Sequence, residues 1–221
     1  MGKVRAVCIS EKRGTQKKNI ESAVFVENWG IEGDAHAGNW HRQISLLSEE
    51  TIAAFKARGA EVTDGAFGEN LVVSGYDFTK FPVGTRFTCK DVVLELTQIG
   101  KECHHGCEIF QKMGECIMPT NGVFAKVLHG GKISVGDEFH VQYRAAVITL
   151  SDTASKGERE DASGAVAEEI VRKEGYEVVF KKIIPDDGDS LTALLCELSD
   201  EDKADLILTT GGTGFSKRDN T

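Results

Sequence analysis

The run Leu206-Ile207-Leu208-Thr209-Thr210 opens into Gly211-Gly212-Thr213-Gly214, with Arg218-Asp219 just beyond. An apolar run ending in three glycines within four residues predicts a buried strand that enters a loop. Glycine lets such a loop approach a ligand closely and turn backbone N–H groups on an anion. Upstream, Ala145–Leu150 and Tyr176–Ile184 read as two further strands, and amphipathic stretches at Ala162–Glu174 and Asp189–Leu198 read as helices. Strands alternating with helices of roughly 10–15 residues require a parallel sheet with crossover connections.

Ligands of parallel sheets bind beyond the carboxyl ends of the strands. Three polar loops are expected there: Ser151–Asp161, Pro185–Asp189 and Gly211–Asp219. Together they gather the glycine N–H groups, Thr213, Ser163 and the carboxylates Asp152, Asp161, Asp186 and Asp219. Acids beside a phosphate cradle suit a magnesium-assisted phosphoryl or nucleotidyl transfer. The plainer reading, a glycine turn with helix-capping aspartates, stays open on the residues alone.

Residues 1–142 read differently. Val4–Ser10, Ala23–Val26, Ile44–Ser48, Leu71–Ser74, Arg86–Thr88, Val92–Gln98 and Glu138–Val141 are short β-branched or alternating runs bounded by turn residues. Two helices are expected between them, one capped by Ser48 and running to about Arg58, the other at Gly122–Leu128. The expectation is a mostly-β barrel with short helices over 1–142, then an α/β domain with a parallel sheet over 143–221.

Charge excludes some functions. The chain carries a formal net charge of -9, of which -2 falls in 1–142 and -7 in the remainder. Neither half has the clustered basic face of a nucleic-acid binder. No stretch approaches the roughly 18 apolar residues of a membrane span. The start, Met1-Gly2-Lys3-Val4-Arg5, runs into a strand without a signal-peptide core, so the cytoplasm is the expected compartment. The six cysteines fit it as thiols or ligands rather than as a disulfide framework.

Three clusters in 1–142 carry candidate chemistry. In the first, Gly33-Asp34-Ala35-His36-Ala37-Gly38 precedes His41-Arg42-Gln43, a rigid loop exposing polar side chains with an arginine able to clamp a phosphate. His36 with His41 is also a conceivable metal pair, although a hydrogen-bonding role suits their strand-edge location better. The second is Gly68-Glu69-Asn70-Leu71, whose acid or amide is placed to hydrogen-bond the first loop. The third is Gly100-Lys101-Glu102-Cys103-His104-His105-Gly106-Cys107, with Cys116 further on. It has three readings: a structural zinc site, a low-pKa thiolate at Cys103 that is nucleophilic or metal-ligating, or partly buried thiols beside solvated histidines.

Two family resemblances cover the chain. Ile148-Thr149-Leu150-Ser151-Asp152, Gly157, Asp161-Ala162-Ser163-Gly164, Ile184-Pro185-Asp186-Asp187 and the Leu208–Gly214 run with Arg218-Asp219 resemble the molybdopterin-binding domain of the MogA/MoaB-like family in molybdenum-cofactor biosynthesis. The resemblance implies that Gly211, Gly212, Thr213 and Gly214, with Asp161 and Ser163, contact the pterin cofactor. It makes Asp186 and Asp219 the catalytic or metal-positioning acids of an adenylyl transfer from Mg-ATP. That family continues past Thr221 and usually forms trimers. So 143–221 is expected to be the first part of a longer domain that binds weakly by itself, and a homo-oligomer is expected of the complete one.

Gly33–Gly38, Arg42-Gln43-Ile44-Ser45, Phe67-Gly68-Glu69-Asn70-Leu71, Val83-Gly84-Thr85, Cys103, Gly122–Ala125, Gly130-Gly131 and Val135-Gly136-Asp137 resemble the MOSC domain, named for the C-terminal part of molybdenum-cofactor sulfurases. The resemblance implies that Cys103 carries persulfide sulfur or ligates molybdenum, with His36, Arg42 and Asn70 toward the cofactor. Sulfur then has to arrive from a separate cysteine desulfurase, and a molybdoenzyme is the other expected protein partner. The two resemblances imply a molybdenum-cofactor biosynthesis transferase with a sulfur-carrying module. The alternatives are a molybdenum-dependent reductase of N-hydroxylated compounds and a carrier that stores the cofactor.

Overall fold

A computed structural model describes residues 1–102 and 115–214. The chain divides into two compact units, Met1–Val141 and Gln142–Thr221.

The first unit is built from β1 (Gly2–Ile9), β2 (Lys18–Asn19), β3 (Ser22–Val26), β4 (Gly30–Ile31), β5 (Ile44–Ser48), β6 (Leu71–Ser74), β7 (Arg86–Cys89), β8 (Val92–Ile99), β9 (Val123–His129), β10 (Gly131–Ser134) and the start of β11 (Glu138–Leu150). Strand neighbours run β7-β8-β9-β5-β6-β1, and β1 pairs the start of β11 at Gly2↔Phe139. Because β11 is also the neighbour of β7, the pairings return to their start. A small separate sheet orders β10-β3-β4.

All five residues of β5 are buried because the strand lies between β9 and β6 with a core on each face. Ile44 and Leu46 enter the aliphatic and aromatic core with Phe25, Phe78, Phe87 and Phe139. Leu47 faces the other way, onto Ile52 and Phe55. Those two sit on helix α1 (Glu49–Ala57), whose start is set by Ser48 Oγ accepting from Thr51 N at 3.3 Å. Burying Phe55 contributes about 2 kcal/mol.

One expected helix is a strand. The Gly122–Leu128 segment, from Val123 on, lies in β9 (Val123–His129), and among the described residues just before it Met118–Asn121 is helical (α2). Central pairing decides this: β9 is bonded to β8 on one side and β5 on the other, and β-branched Val123 and Val127 suit a pleated, two-sided burial.

The second unit is a parallel sheet of the C-terminal part of β11, β12 (Tyr176–Ile184) and β13 (Leu206–Gly211), with β11 in the middle. Helix α3 (Asp152–Ser155) follows β11, α4 (Ala162–Lys173) crosses to β12, and α5 (Gly188–Asp200) crosses to β13. The crossovers β11 to β12 and β12 to β13 run in opposite directions across the sheet, so right-handed connections put α4 and α5 on opposite faces. Val171 of α4 packs on Ala145 and Val147, while Leu191, Leu194 and Leu198 of α5 pack on Ala146, Ile148 and Leu150. The two runs expected as separate strands, Glu138–Val141 and Ala145–Leu150, lie on one strand, β11, since no glycine or proline interrupts 138–150.

Candidate functional site

Buried charge underlies the Gly33–Gly38 loop. Lys17 Nζ donates to both carboxylate oxygens of Asp34, at 2.6 and 2.7 Å, and the two side chains are 1% and 0% exposed. Ser10 N donates to Asp34 Oδ1 at 2.9 Å and Asn70 Nδ2 to Oδ2 at 3.2 Å. Burial pushes the Asp34 carboxyl up, but the Lys17 ammonium and the Ser10 N–H outweigh it and hold the group below the ordinary carboxylate range. Burial pulls Lys17 below the usual lysine range, against the opposing pull of Asp34.

Asn70 completes this frame. Its Oδ1 accepts from Ser45 N and Oγ at 3.1 and 3.0 Å, and its Nδ2 also donates to Cys8 O at 3.0 Å. The amide is thus spent on tying β1, β5 and β6 together around Asp34. Its neighbour Glu69 is fully buried and accepts from Gly65 N at 2.6 Å and Phe67 N at 3.0 Å. Burial pushes this carboxyl up to about 7.

Above the frame, His36 is about one-third exposed, and its carbonyl accepts from Trp40 Nε1 at 3.0 Å. The Arg42 guanidinium lies over the rings of Trp40 and Phe124, 5.0 and 5.5 Å from their centroids. Its Nε is buried and has no hydrogen-bond partner among the described residues. A planar cation held by two rings with an N–H unspent fits a planar anionic acceptor. His41 Nε2 is bonded to Gln98 Oε1 at 3.0 Å, so the structure gives this ring a partner on β8 rather than His36.

In the second unit, Gly211 is paired with Leu150 across β13 and β11, where the strand order reverses. Gly211 and Gly212 take φ of +85° and +61°, left-handed conformations that side chains resist. A Cβ on Gly211 would collide with the Leu150 carbonyl. Beside this turn, Asp161 caps α4: Oδ1 accepts from Gly164 N at 2.8 Å and Oδ2 from Thr149 Oγ1 at 2.9 Å. Ser163 Oγ reaches the same carboxylate at 3.4 Å. Both oxygens of Asp161 therefore have local partners, as the capping reading expects. The loops after β11 and β12 are joined at Asp152 and Asp186, each N–H donating to the other's carboxylate, and Asp186 Oδ1 is buried with no hydrogen-bond partner among the described residues.

Cys103, Cys107, Arg218 and Asp219 lie outside the described residues. Among the described residues no group of three metal-ligating side chains converges. Two described thiols are poor nucleophiles: burial, with Glu69 and Asp64 nearby, pushes Cys8 up to about 12, and burial with Asp137 pushes Cys89 up to about 11. Lys17 is the residue that sequence reasoning missed. It sits in the polar stretch 11–18, which reads as solvated, and nothing local signals a partner seventeen positions on.

Residues 33–140 match the MOSC domain family, and residues 146–221 match the family described as "Probable molybdopterin binding domain". The chain joins a MOSC domain to a molybdopterin-binding domain.

The molybdopterin-binding domain is 46% identical over 79 residues to a molybdopterin adenylyltransferase of Pyrococcus furiosus, covering 36% of this chain and 46% of that protein. It is 34% identical over 80 residues to molybdenum cofactor biosynthesis protein B of Bacillus cereus, covering 36% of this chain and 46% of that one. The chain thus spans about half the length of the curated relatives it matches. In fold it is similar to the YUAD protein of Bacillus subtilis, with a TM-score of 0.55 and 22% identity over 64% of this chain and 96% of that one. YiiM of Geobacillus stearothermophilus gives a TM-score of 0.50 and 16% identity over 64% and 75% of the two chains. At such identities the likeness concerns the fold alone.

Arg42 and the glycine turn offer donors that fit an anionic ligand, whereas the carboxylate of Asp186 is an acceptor that suits a cation or a protonated group. In the molybdopterin-binding domain the Gly211-Gly212 turn leaves room where a side chain would stand, and Asp186 holds an unspent carboxylate oxygen. In the MOSC domain Arg42 holds the unspent N–H. The Lys17–Asp34 pair ties that domain's matched range to a residue that precedes it. No described helix is long and apolar enough to cross a membrane.

Proposed function

We propose that this chain acts in molybdenum-cofactor biosynthesis by binding molybdopterin. The observation that carries the reading is the Gly211-Gly212 turn: two left-handed glycines at the reversal point of a parallel sheet, one of them pressed against the Leu150 carbonyl. Gly211–Gly214 offer backbone N–H groups to the pterin phosphate, as helix-entry glycine loops do. In the complete domain, Asp186 and Asp219 serve adenylyl transfer from Mg-ATP, Asp186 through its unspent oxygen. This domain is assigned to residues 143–221. In the MOSC domain, over 1–142, Cys103 carries sulfur or ligates molybdenum, with His36 and Arg42 toward the cofactor. Asn70 acts there only through Asp34, because its own amide is satisfied within the protein. A cysteine desulfurase supplies the sulfur, and a molybdoenzyme receives the cofactor.

The test is a titration of the full chain with isolated molybdopterin, comparing the unaltered protein with Gly211→Ala and Asp186→Asn. The reading expects a loss of affinity of at least about tenfold in Gly211→Ala, equivalent to about 1.4 kcal/mol. It expects near-unchanged binding in Asp186→Asn, with the loss confined to ATP-dependent turnover in the whole protein. Equal affinity in all three proteins would place the pterin elsewhere.

A further inference from the structure

The Lys17–Asp34 pair does more than neutralise itself. Lys17 Nζ lies 3.3 Å from His36 Nδ1, whereas Asp34 Oδ2 lies 3.8 Å from that nitrogen. The first distance is within hydrogen-bond reach and the second is beyond it. An ammonium has three protons and no acceptor. Two of them go to the Asp34 oxygens, so the third is left for His36 Nδ1. Nδ1 must then present a lone pair, and the ring proton sits on Nε2. The bond made by one imidazole nitrogen sets which one is protonated.

Lys17 is locked where this requires it. Its side chain is 1% exposed, and its backbone N–H donates to Gly65 O at 3.0 Å. Gly65 is in turn held by Glu69, at φ +87°, so close to the Lys17 backbone that a Cβ there would collide with it. His36 is fixed from its other end by the bond from Trp40 Nε1 to its carbonyl. Nε2 makes no hydrogen bond among the described residues, and the ring is partly open to solvent.

We infer that Lys17 is a positioning residue for His36: its ammonium holds Nδ1 as an acceptor and fixes the imidazole as the Nε2–H tautomer, which meets a ligand as a hydrogen-bond donor. What that donor meets rests on the reading of the Gly33–Gly38 loop as part of the cofactor site. The tautomer does not, so a failure to bind pterin leaves this inference standing and the two fail separately.

The experiment is nitrogen NMR of the full chain carrying isotope-labelled histidine at mildly alkaline pH, with His36 assigned from the signal lost in His36→Gln. The expected spectrum shows a protonated Nε2 and an unprotonated Nδ1, and Lys17→Met moves the proton to Nδ1, where it turns to Asp34. Should Lys17→Met fail to fold around an uncompensated Asp34, the double variant Lys17→Met/Asp34→Asn removes both charges and is expected to give a mixture of tautomers. A proton on Nδ1 in the unaltered chain overturns the inference. So does an unmixed Nε2–H signal in a folded variant that lacks Lys17.

Discussion

Asp152 and Asp186 are cross-tied: the N–H of Asp152 donates to Asp186 Oδ2 at 3.0 Å, and the N–H of Asp186 donates to Asp152 Oδ1 at 3.2 Å. One carboxylate oxygen of Asp186 thus holds the loop after β11, and the other is buried with no hydrogen-bond partner among the described residues. The two oxygens separate by substitution. Asp186→Asn retains an oxygen for Asp152 N and is expected to keep its stability. Asp186→Ala removes the acceptor and is expected to cost about 1 kcal/mol. Denaturant unfolding of the two variants checks this; equal losses would mean that the cross-tie contributes nothing.

Gly211→Ala is expected to destabilise the second unit as well as to weaken pterin binding. A left-handed alanine costs about 1–2 kcal/mol before any collision, and the Cβ meets the Leu150 carbonyl in the middle of the sheet. Gly157, also left-handed at φ +75° but with open space around its Cβ, makes the control: Gly157→Ala should cost the strain alone. Unfolding curves that coincide for the two variants would contradict the crowding at Gly211.

Lys17→Met leaves Asp34 charged and fully buried. Breaking a buried pair by removing one partner costs about 3–5 kcal/mol. A thermal or denaturant melt reads the loss directly. A change below about 1 kcal/mol would show that water reaches Asp34.

Two buried carboxyls give stability opposite slopes in pH. Glu69 is raised from 4.5 to about 7, so its protonated form is favoured by folding. Its contribution is full below about pH 4.5 and is lost as pH rises through about 7, by up to roughly 3 kcal/mol. Asp34 is lowered, so its contribution is present above 3.8 and is lost as pH falls below that value. Glu69→Gln should flatten the neutral limb and leave the acid limb intact. Unfolding free energies at pH 5 and about 8 compare the variants; a Glu69→Gln profile parallel to that of the unaltered chain would contradict the assignment.

Much of this was legible in the chain itself. Ile44–Ser48, Leu71–Ser74 and Tyr176–Ile184 are strands at the residues where their β-branched runs predict them, and Ser48 and Asp161 cap helices as their types and positions predict. The glycine turn after β13 was equally plain, because left-handed geometry leaves a compositional mark. Gly122–Leu128 misled because a short apolar run looks the same on a helix and on a strand buried on both faces, and only the partners β5 and β8 decide. Lys17 was invisible for a related reason. Its burial is created by Asp34 and by the Gly65 turn, contacts that no local pattern encodes. The two-residue strands β2 and β4 are too short to carry any periodicity.

The most direct test of the account is the molybdenum, pterin and zinc content of the full chain purified from a molybdenum-replete host, with Cys103→Ser and Gly211→Ala beside it. The account predicts copurified pterin that falls in Gly211→Ala, and molybdenum or persulfide sulfur that disappears in Cys103→Ser. Stoichiometric zinc with neither pterin nor molybdenum, unchanged by Gly211→Ala, would contradict it.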